Sequence, residues 1–466
     1  MAISITAPEF DPDLIARYDV AGPRYTSYPP VPQFAADFDE PALRGVIRAS
    51  NEEPIPRPLS IYVHVPFCTS PCFYCGCNRV ITSDKAQAGR YLERLYREIE
   101  MIAPLFDRDR PVRQLHLGGG TPNFFDIASM RELMESLTRH FSFNGNTERE
   151  YGIEVDPRFA DADYIHGLGE LGFNRLSVGV QDFDPAVQHA VNRIQSVEQT
   201  RAVIEAARAA HFRSVSVDLI YGLPLQNLEA FSRTLDQVVA LHPDRVAVYG
   251  YAHLPQVFKA QRQIDKHAIP DPATRLALFG CALERLTAAG YVYIGMDHFA
   301  RADDELAQAQ RAGTLQRNFQ GYSTHGECDI IGLGVSAIGR IGDSYSQNAR
   351  DLIGYYAALD NARLPVACGL QLGEDDLIRR ELINTLMCQG LIDKSRFGAR
   401  HRLLFDEYFV RERQRLQPLV ADGLVEEDAH ALRVTARGQL LLRIIAMCFD
   451  AYLGEAEQTR RYSRVI

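Results

Sequence analysis

The chain has 466 residues, of which 60 are acidic, 50 are basic and nine are cysteines. That length exceeds what one core ordinarily serves, so a large domain with at least one smaller companion is expected. The net charge of -10 argues against a surface that binds nucleic acid through its phosphates.

The first residues, Met1-Ala2-Ile3-Ser4-Ile5-Thr6, lack the basic n-region and apolar core of a secretory leader. No apolar run reaches bilayer length. The chain therefore reads as a cytoplasmic protein without a membrane span, a setting in which disulfides are rare. Further on, Gly22-Pro23 and Tyr28-Pro29-Pro30 read as extended chain. Residues 1–51 are expected to form an arm over the active site. Deleting them should abolish turnover and leave the absorbance of the cluster described next.

The apolar run Ile61-Tyr62-Val63-His64-Val65 predicts a strand that delivers Cys68-Thr69-Ser70-Pro71-Cys72-Phe73-Tyr74-Cys75. Disulfides, a zinc site and an iron–sulfur cluster all use closely spaced cysteines. Zinc usually draws on two separated pairs, whereas C-x3-C-x2-C lets one short loop hold three irons of a [4Fe–4S] cluster and leave the fourth open. An open iron can bind S-adenosylmethionine (SAM), pass one electron to its sulfonium and release a 5′-deoxyadenosyl radical. Cys77 stands just beyond as a possible fourth thiolate, in a C-x-C step that would strain the loop. The remaining cysteines, among them Cys281, Cys328 and Cys448, lie singly among mostly apolar neighbours and read as core residues.

Strand-like runs at 61–67, 113–117, 151–155, 175–180, 214–220 and 245–250 alternate with helix-like stretches near 85–103, 126–141, 160–171, 197–211 and 228–241. Such alternation predicts parallel strands with crossover helices. The fold class is thus α/β, an incomplete (β/α)6 barrel in residues 52–370, with its chemistry at the C-terminal strand ends. Gly118-Gly119-Gly120-Thr121-Pro122 follows the second strand. It is either a tight βα turn or a place where backbone N–H groups approach a carboxylate-bearing ligand. Glu154 closes the third strand, where an unpaired buried carboxylate would be costly. Gln181 and Arg193 follow the fourth, and Asp218 interrupts the fifth.

Past about residue 370 the rhythm stops. Residues 371–466 read as a small, mostly helical, winged-helix-like domain, with helical spacing from Glu374, a hairpin through Leu424-Val425-Glu426 and Ala431 to Thr435, and a helix from Leu440 to Cys448.

With these residues in view the sequence resembles the radical-SAM superfamily and, within it, the oxygen-independent coproporphyrinogen III oxidases. The likeness runs through Gly22 to Pro29, Phe67 to Asn78, Gly118 to Pro122, Asp218 to Pro224, Tyr251 to Pro255, Met296 to Phe299, Arg317 to Tyr322 and Gly332 to Ile338. The N-terminal Arg24-Tyr25-Thr26-Ser27-Tyr28-Pro29 run and Cys77 separate it from related haem-trafficking proteins.

The resemblance implies Cys68, Cys72 and Cys75 as ligands of one [4Fe–4S] cluster per chain, and Cys77 as a non-ligand. It implies Tyr62, Gly119, Glu154 and Ile338 around a first SAM. For a second SAM site it implies Tyr74, Gly120, Thr121, Gln181, Arg193, Asp218 and Ala252. No catalytic residue beyond the cofactor ligands is expected. The implied reaction turns two propionates of coproporphyrinogen III into vinyl groups, giving protoporphyrinogen IX, as a radical abstracts the hydrogen β to the carboxylate and the substrate loses CO2 and one electron. Arg24 and Arg317 are the candidate partners of the substrate carboxylates. A flavodoxin- or ferredoxin-like reductant is implied, with a monomeric chain and no nucleic acid. The alternative is a haem-binding or haem-delivery protein on the same scaffold.

Overall fold

The computed structural model describes residues 7–143, 149–453 and 462. The expectations that touch Met1 to Thr6 and the remainder of the C-terminal tail lie outside the described residues.

Six parallel strands follow the anticipated rhythm: β1 (Leu59–Val65), β2 (Val112–Gly119), β3 (Glu150–Val155), β4 (Arg175–Gln181), β5 (Ser214–Tyr221) and β6 (Arg245–Gly250). Helices Ala86–Ile102, Ile127–His140, Ala162–Glu170, Val197–Ala209 and Leu228–Ala240 cross between them. Their starts are set locally. Asp126, Asp161, Ser196 and Asn227 each accept a backbone N–H of the first turn, which satisfies donors a helix leaves open.

Among the described residues the sheet has 12 strands and stays open, with Val366–Gln371 at one edge and Tyr291–Gly295 at the other. A seventh parallel strand, Asp329–Leu333, pairs with the free side of β1. Antiparallel strands extend both edges.

β1 is buried on both faces except at Tyr62, as befits a central parallel strand. β4 and β5 instead alternate. Leu176, Val178 and Val180, and Val215, Val217 and Leu219, are buried in the main core. Arg175, Ser177, Gly179 and Gln181 share the opposite face with Ser216 and Asp218 and line cavities inside the curve. The period of two thus sorts one strand into an apolar outer face and a polar inner one.

Residues 7–51 hold helices Pro12–Tyr18 and Glu40–Asn51. Ile15 and Ile47 enter the main core, while Leu14, Tyr25 and Tyr28 enter a second core made largely by the C-terminal residues. Beyond 371 come helix Glu374–Gln389, a three-stranded sheet of Leu391–Asp393, Ala431–Val434 and Val425–Glu427, and further short helices. Among the described residues no helix is long and apolar enough to cross a membrane.

Candidate active site at the cysteine loop

Register assembles the site. Ser177 pairs with Glu154 and with Ser216, and Gly179 with Asp218, so polar side chains from neighbouring strands face one cavity of about 270 Å³. Its wall includes Cys68, Cys72, Cys75, Tyr74, Gly119, Gly120, Thr121, Glu154, Gln181, Arg193 and Asp218. Tyr62, Ala252 and Ile338 are not among the residues that line it. The Tyr62 hydroxyl bonds His64 Nδ1 at 3.1 Å. Gln261 Nε2 donates to the carbonyls of both Tyr74 (2.9 Å) and Ala252 (3.1 Å), tying the loop after β6 to the cysteine loop.

Each of the three cysteine sulfurs receives a donor. The Thr121 hydroxyl lies 3.2 Å from Cys68 Sγ, the Cys77 backbone N–H 3.4 Å from Cys75 Sγ, and Arg193 Nη1 3.6 Å from Cys72 Sγ. Arg79 gathers the loop by donating to the carbonyls of Cys72, Cys75 and Cys77. Donors aimed at sulfur suit thiolates that carry negative charge into a cluster. The residues therefore fit an iron–sulfur group. Cys77 lines the same cavity.

Glu154 accepts the Gly119 N–H at 3.2 Å, and its other oxygen lies 3.4 Å from His116 Nε2. Burial works against its ionisation, but the bond and charge of His116 and the Gly119 N–H outweigh burial and hold its pKa below the ordinary value. Asp218 goes the other way. Burial, then the charge of Glu154, push its pKa up to about 7, although the Ser177 hydroxyl donates to it at 2.9 Å.

Asp218 is thus neutral below that pH and anionic above it. If it accepts from a cationic or hydroxyl-bearing ligand, binding of SAM should tighten between pH 6 and 8, and Asp218→Asn should flatten the profile. Stability has the opposite slope. The unfolded carboxyl ionises near 3.8, so the folded state loses stability as pH rises from there to about 7. Asp218→Asn should remove that loss, as thermal melts across the range will show.

Behind the first cavity lies a second, of about 190 Å³, which shares Glu154, Ser177, Asp218 and Tyr249 with it. Arg24 and Arg317 each contact a tyrosine of its wall. Arg317 donates to the Arg24 carbonyl, Arg24 pairs with Asp297 at 3.4 Å, and their guanidiniums lie over Tyr249 and Tyr322.

Sequence reasoning did not single out His116, Asp156, Arg158, Ser177 or Tyr249. Asp156 and Arg158 had a signal, since charges directly after a strand's C-terminal end face the site in this architecture.

Glu98 supports the site from the helix Ala86–Ile102. It is buried and accepts from Gly334 N (2.8 Å), Asn348 Nδ2 (2.7 Å) and the Tyr355 hydroxyl (2.6 Å), fixing the turn that leads to Ile338. Burial raises its pKa to about 7. Glu98→Gln turns an amide NH2 toward at least one of these donors. It should cost about 1–3 kcal/mol in denaturant unfolding and weaken SAM binding.

Fold and site together define a radical-SAM protein: residues 62–238 match the radical SAM superfamily, and residues 372–441 match the HemN C-terminal domain. The oxygen-independent coproporphyrinogen III oxidase of Pseudomonas aeruginosa is 49% identical over 461 residues, covering 98% of this chain and 99% of that protein. That of Escherichia coli is 46% identical, covering 100% of both. A solved structure of E. coli coproporphyrinogen III oxidase (HemN), described as a radical SAM enzyme, aligns with a TM-score of 0.91 at 46% identity over 96% of this chain and 100% of that one. The chain belongs to the oxygen-independent coproporphyrinogen III oxidase family. Membership implies a [4Fe–4S] cluster and SAM as cofactors.

Proposed function

We propose that this chain carries out the oxygen-independent oxidative decarboxylation of coproporphyrinogen III to protoporphyrinogen IX, converting two propionates to vinyl groups in haem biosynthesis. The observation that carries this is the shared cavity: three cysteines with donors on their sulfurs open onto the same space as Glu154, Gln181, Arg193 and Asp218. When bound, the reduced cluster and SAM supply the radical that takes a hydrogen from the propionate carbon next to the pyrrole.

The protein's own residues bind, orient and exclude water. Cys68, Cys72 and Cys75 hold one cluster, with Cys77 outside the ligand set. Tyr62, Gly119, Glu154 and Ile338 surround one SAM. Tyr74, Gly120, Thr121, Gln181, Arg193, Asp218 and Ala252 serve a second. In that role the Arg193 guanidinium suits a carboxylate and the ionised Asp218 a ribose diol or ammonium. Arg24 and Arg317 receive substrate carboxylates at the mouth covered by residues 1–51, and residues 371–466 form the C-terminal domain, whose described part shares a core with Leu14, Tyr25 and Tyr28. The chain works as a cytoplasmic monomer supplied with electrons by a flavodoxin- or ferredoxin-like protein. No proton donor is needed, because a substrate radical that releases CO2 and passes one electron to an external one-electron acceptor already forms the vinyl group.

The test is an anaerobic reaction with reductant, SAM and coproporphyrinogen III. It should yield 5′-deoxyadenosine, CO2 and protoporphyrinogen together. Formation of 5′-deoxyadenosine without porphyrinogen product would reject the substrate, and haemin binding without turnover would favour haem delivery.

A further inference from the structure

Of the three cysteines, Cys72 alone meets charged donors among the described residues. Arg158 Nη2 lies 3.7 Å and Arg193 Nη1 3.6 Å from its Sγ, whereas Cys68 receives a hydroxyl and Cys75 a backbone N–H. Asp156 clamps both guanidiniums. Its Oδ2 lies 2.7 Å from Arg158 Nη2 and 3.0 Å from Arg193 Nη1, and Arg158 Nε spans both carboxylate oxygens at 3.0 and 3.2 Å. The side chains of Arg158, Arg193 and Asp156 are only 12%, 8% and 6% exposed. Two cations and one anion leave a net positive charge beside one sulfur, where water screens it weakly.

The two arginines differ in what else they do. Arg193 spends its Nη2 on the Gly179 carbonyl at 2.6 Å. Arg158 is fixed within its own turn. The segment Pro157–Phe159 is a single 3-10 turn, the Arg158 backbone N–H donates to Asp156 Oδ1 at 3.1 Å, and the guanidinium lies over the Phe159 ring at 5.2 Å. That ring contact and clamp hold the charge beside Cys72 from within the turn itself.

We propose that Arg158, clamped by Asp156, sets the reduction potential of the [4Fe–4S] cluster by holding a charged hydrogen-bond donor on Cys72. The inference rests on the reading of Cys72 as a cluster ligand. Reduction adds one electron to the unit formed by the cluster and its thiolates. A fixed cation and an N–H···S bond stabilise the reduced form more than the oxidised one, so the potential rises and a one-electron donor reduces the cluster more readily. Arg158 is a positioning residue, acting on the cluster through its ligand. Asp156 keeps the guanidinium in place and limits how far the potential rises.

The experiment is an EPR-monitored potentiometric titration of the reconstituted full chain, for the wild type, R158M, R158Q and R158K, with iron content measured in each. R158M and R158Q should take up the cluster and shift its reduction equilibrium about tenfold toward the oxidised state, 59 mV for one electron. R158K keeps the charge and should shift it by no more than about threefold. An unchanged potential in loaded R158M and R158Q would overturn the proposal. So would loss of the cluster from both, which would make Arg158 a structural brace. C72A separates the underlying reading: a full cluster with wild-type EPR in that variant would remove Cys72 from the ligand set.

Discussion

Cys68→Ala is expected to reduce SAM cleavage to background and to strip the cluster from the purified protein, with the far-UV circular dichroism unchanged. Cys68 ends a short strand pair with Val80–Ile81 and contributes one small side chain to the core, so the fold loses little by its removal. The site loses far more. Two remaining thiolates cannot hold a cluster that needs three, and the Thr121 hydroxyl is left without its sulfur acceptor. Cys77→Ala is the informative contrast. Its backbone N–H to Cys75 Sγ survives the substitution, so iron content should stay near that of the wild type. Equal loss of iron from both variants would place Cys77 among the ligands.

The parallel strands were readable because they carry two independent signals. Apolar residues, continuous in β1 and alternating in β4 and β5, mark the strands, and charged or glycine-rich breaks such as Asp218 and Gly118-Gly119-Gly120 mark where each strand meets the site. The seventh parallel strand, Asp329–Leu333, was not readable in this way. Its place beside β1 is set by long-range pairing, which no local pattern encodes.

The N-terminal segment shows a different gap. Gly22-Pro23 and Tyr28-Pro29 read as extended chain, yet the Tyr25 hydroxyl donates to Asp450 at 2.9 Å and the Tyr28 hydroxyl accepts the Ala451 N–H at 3.1 Å. Pairing of residues so far apart in sequence shows only in three dimensions. The flanking helices were within reach, since Asp11 and Asp39 are N-caps and each is followed within two residues by proline. This packing also changes what truncation should do. Removing residues 1–51 uncovers the second core and so tests stability as well as turnover.

The cavity's residues divide similarly. Strand periodicity tells which side chains share a face, and that was enough for Glu154, Gln181 and Asp218. It does not tell which loop side chains fold back onto that face, and Asp156 and Arg158 were missed for that reason, whereas Tyr249 lies on β6 and shares the period of Arg245 and Ala247.

The second large effect is expected from Gly119→Ala. Gly119 has φ +115°, outside the region an L side chain adopts readily, and such a conformation costs a non-glycine residue about 1–3 kcal/mol. Space is also lacking. An added Cβ would lie 2.6 Å from His64 Cε1 and 2.7 Å from Nδ1. The imidazole cannot swing aside cheaply, because it is held between the Tyr62 hydroxyl at 3.1 Å and the Asn78 carbonyl at 2.9 Å, and burial keeps its pKa below the usual histidine value. The strain therefore falls on the turn itself. Moving the turn breaks the Gly119 N–H bond to Glu154 and withdraws backbone donors from the cavity. SAM affinity should fall at least about tenfold, 1.4 kcal/mol, while the cysteines, untouched, still load iron. Calorimetric titration of SAM against the reconstituted variant decides the matter, with Gly89→Ala as the control, since a Cβ there meets nothing within 4 Å. Wild-type affinity in Gly119→Ala would mean that the glycine turn serves the fold alone and does not hold SAM.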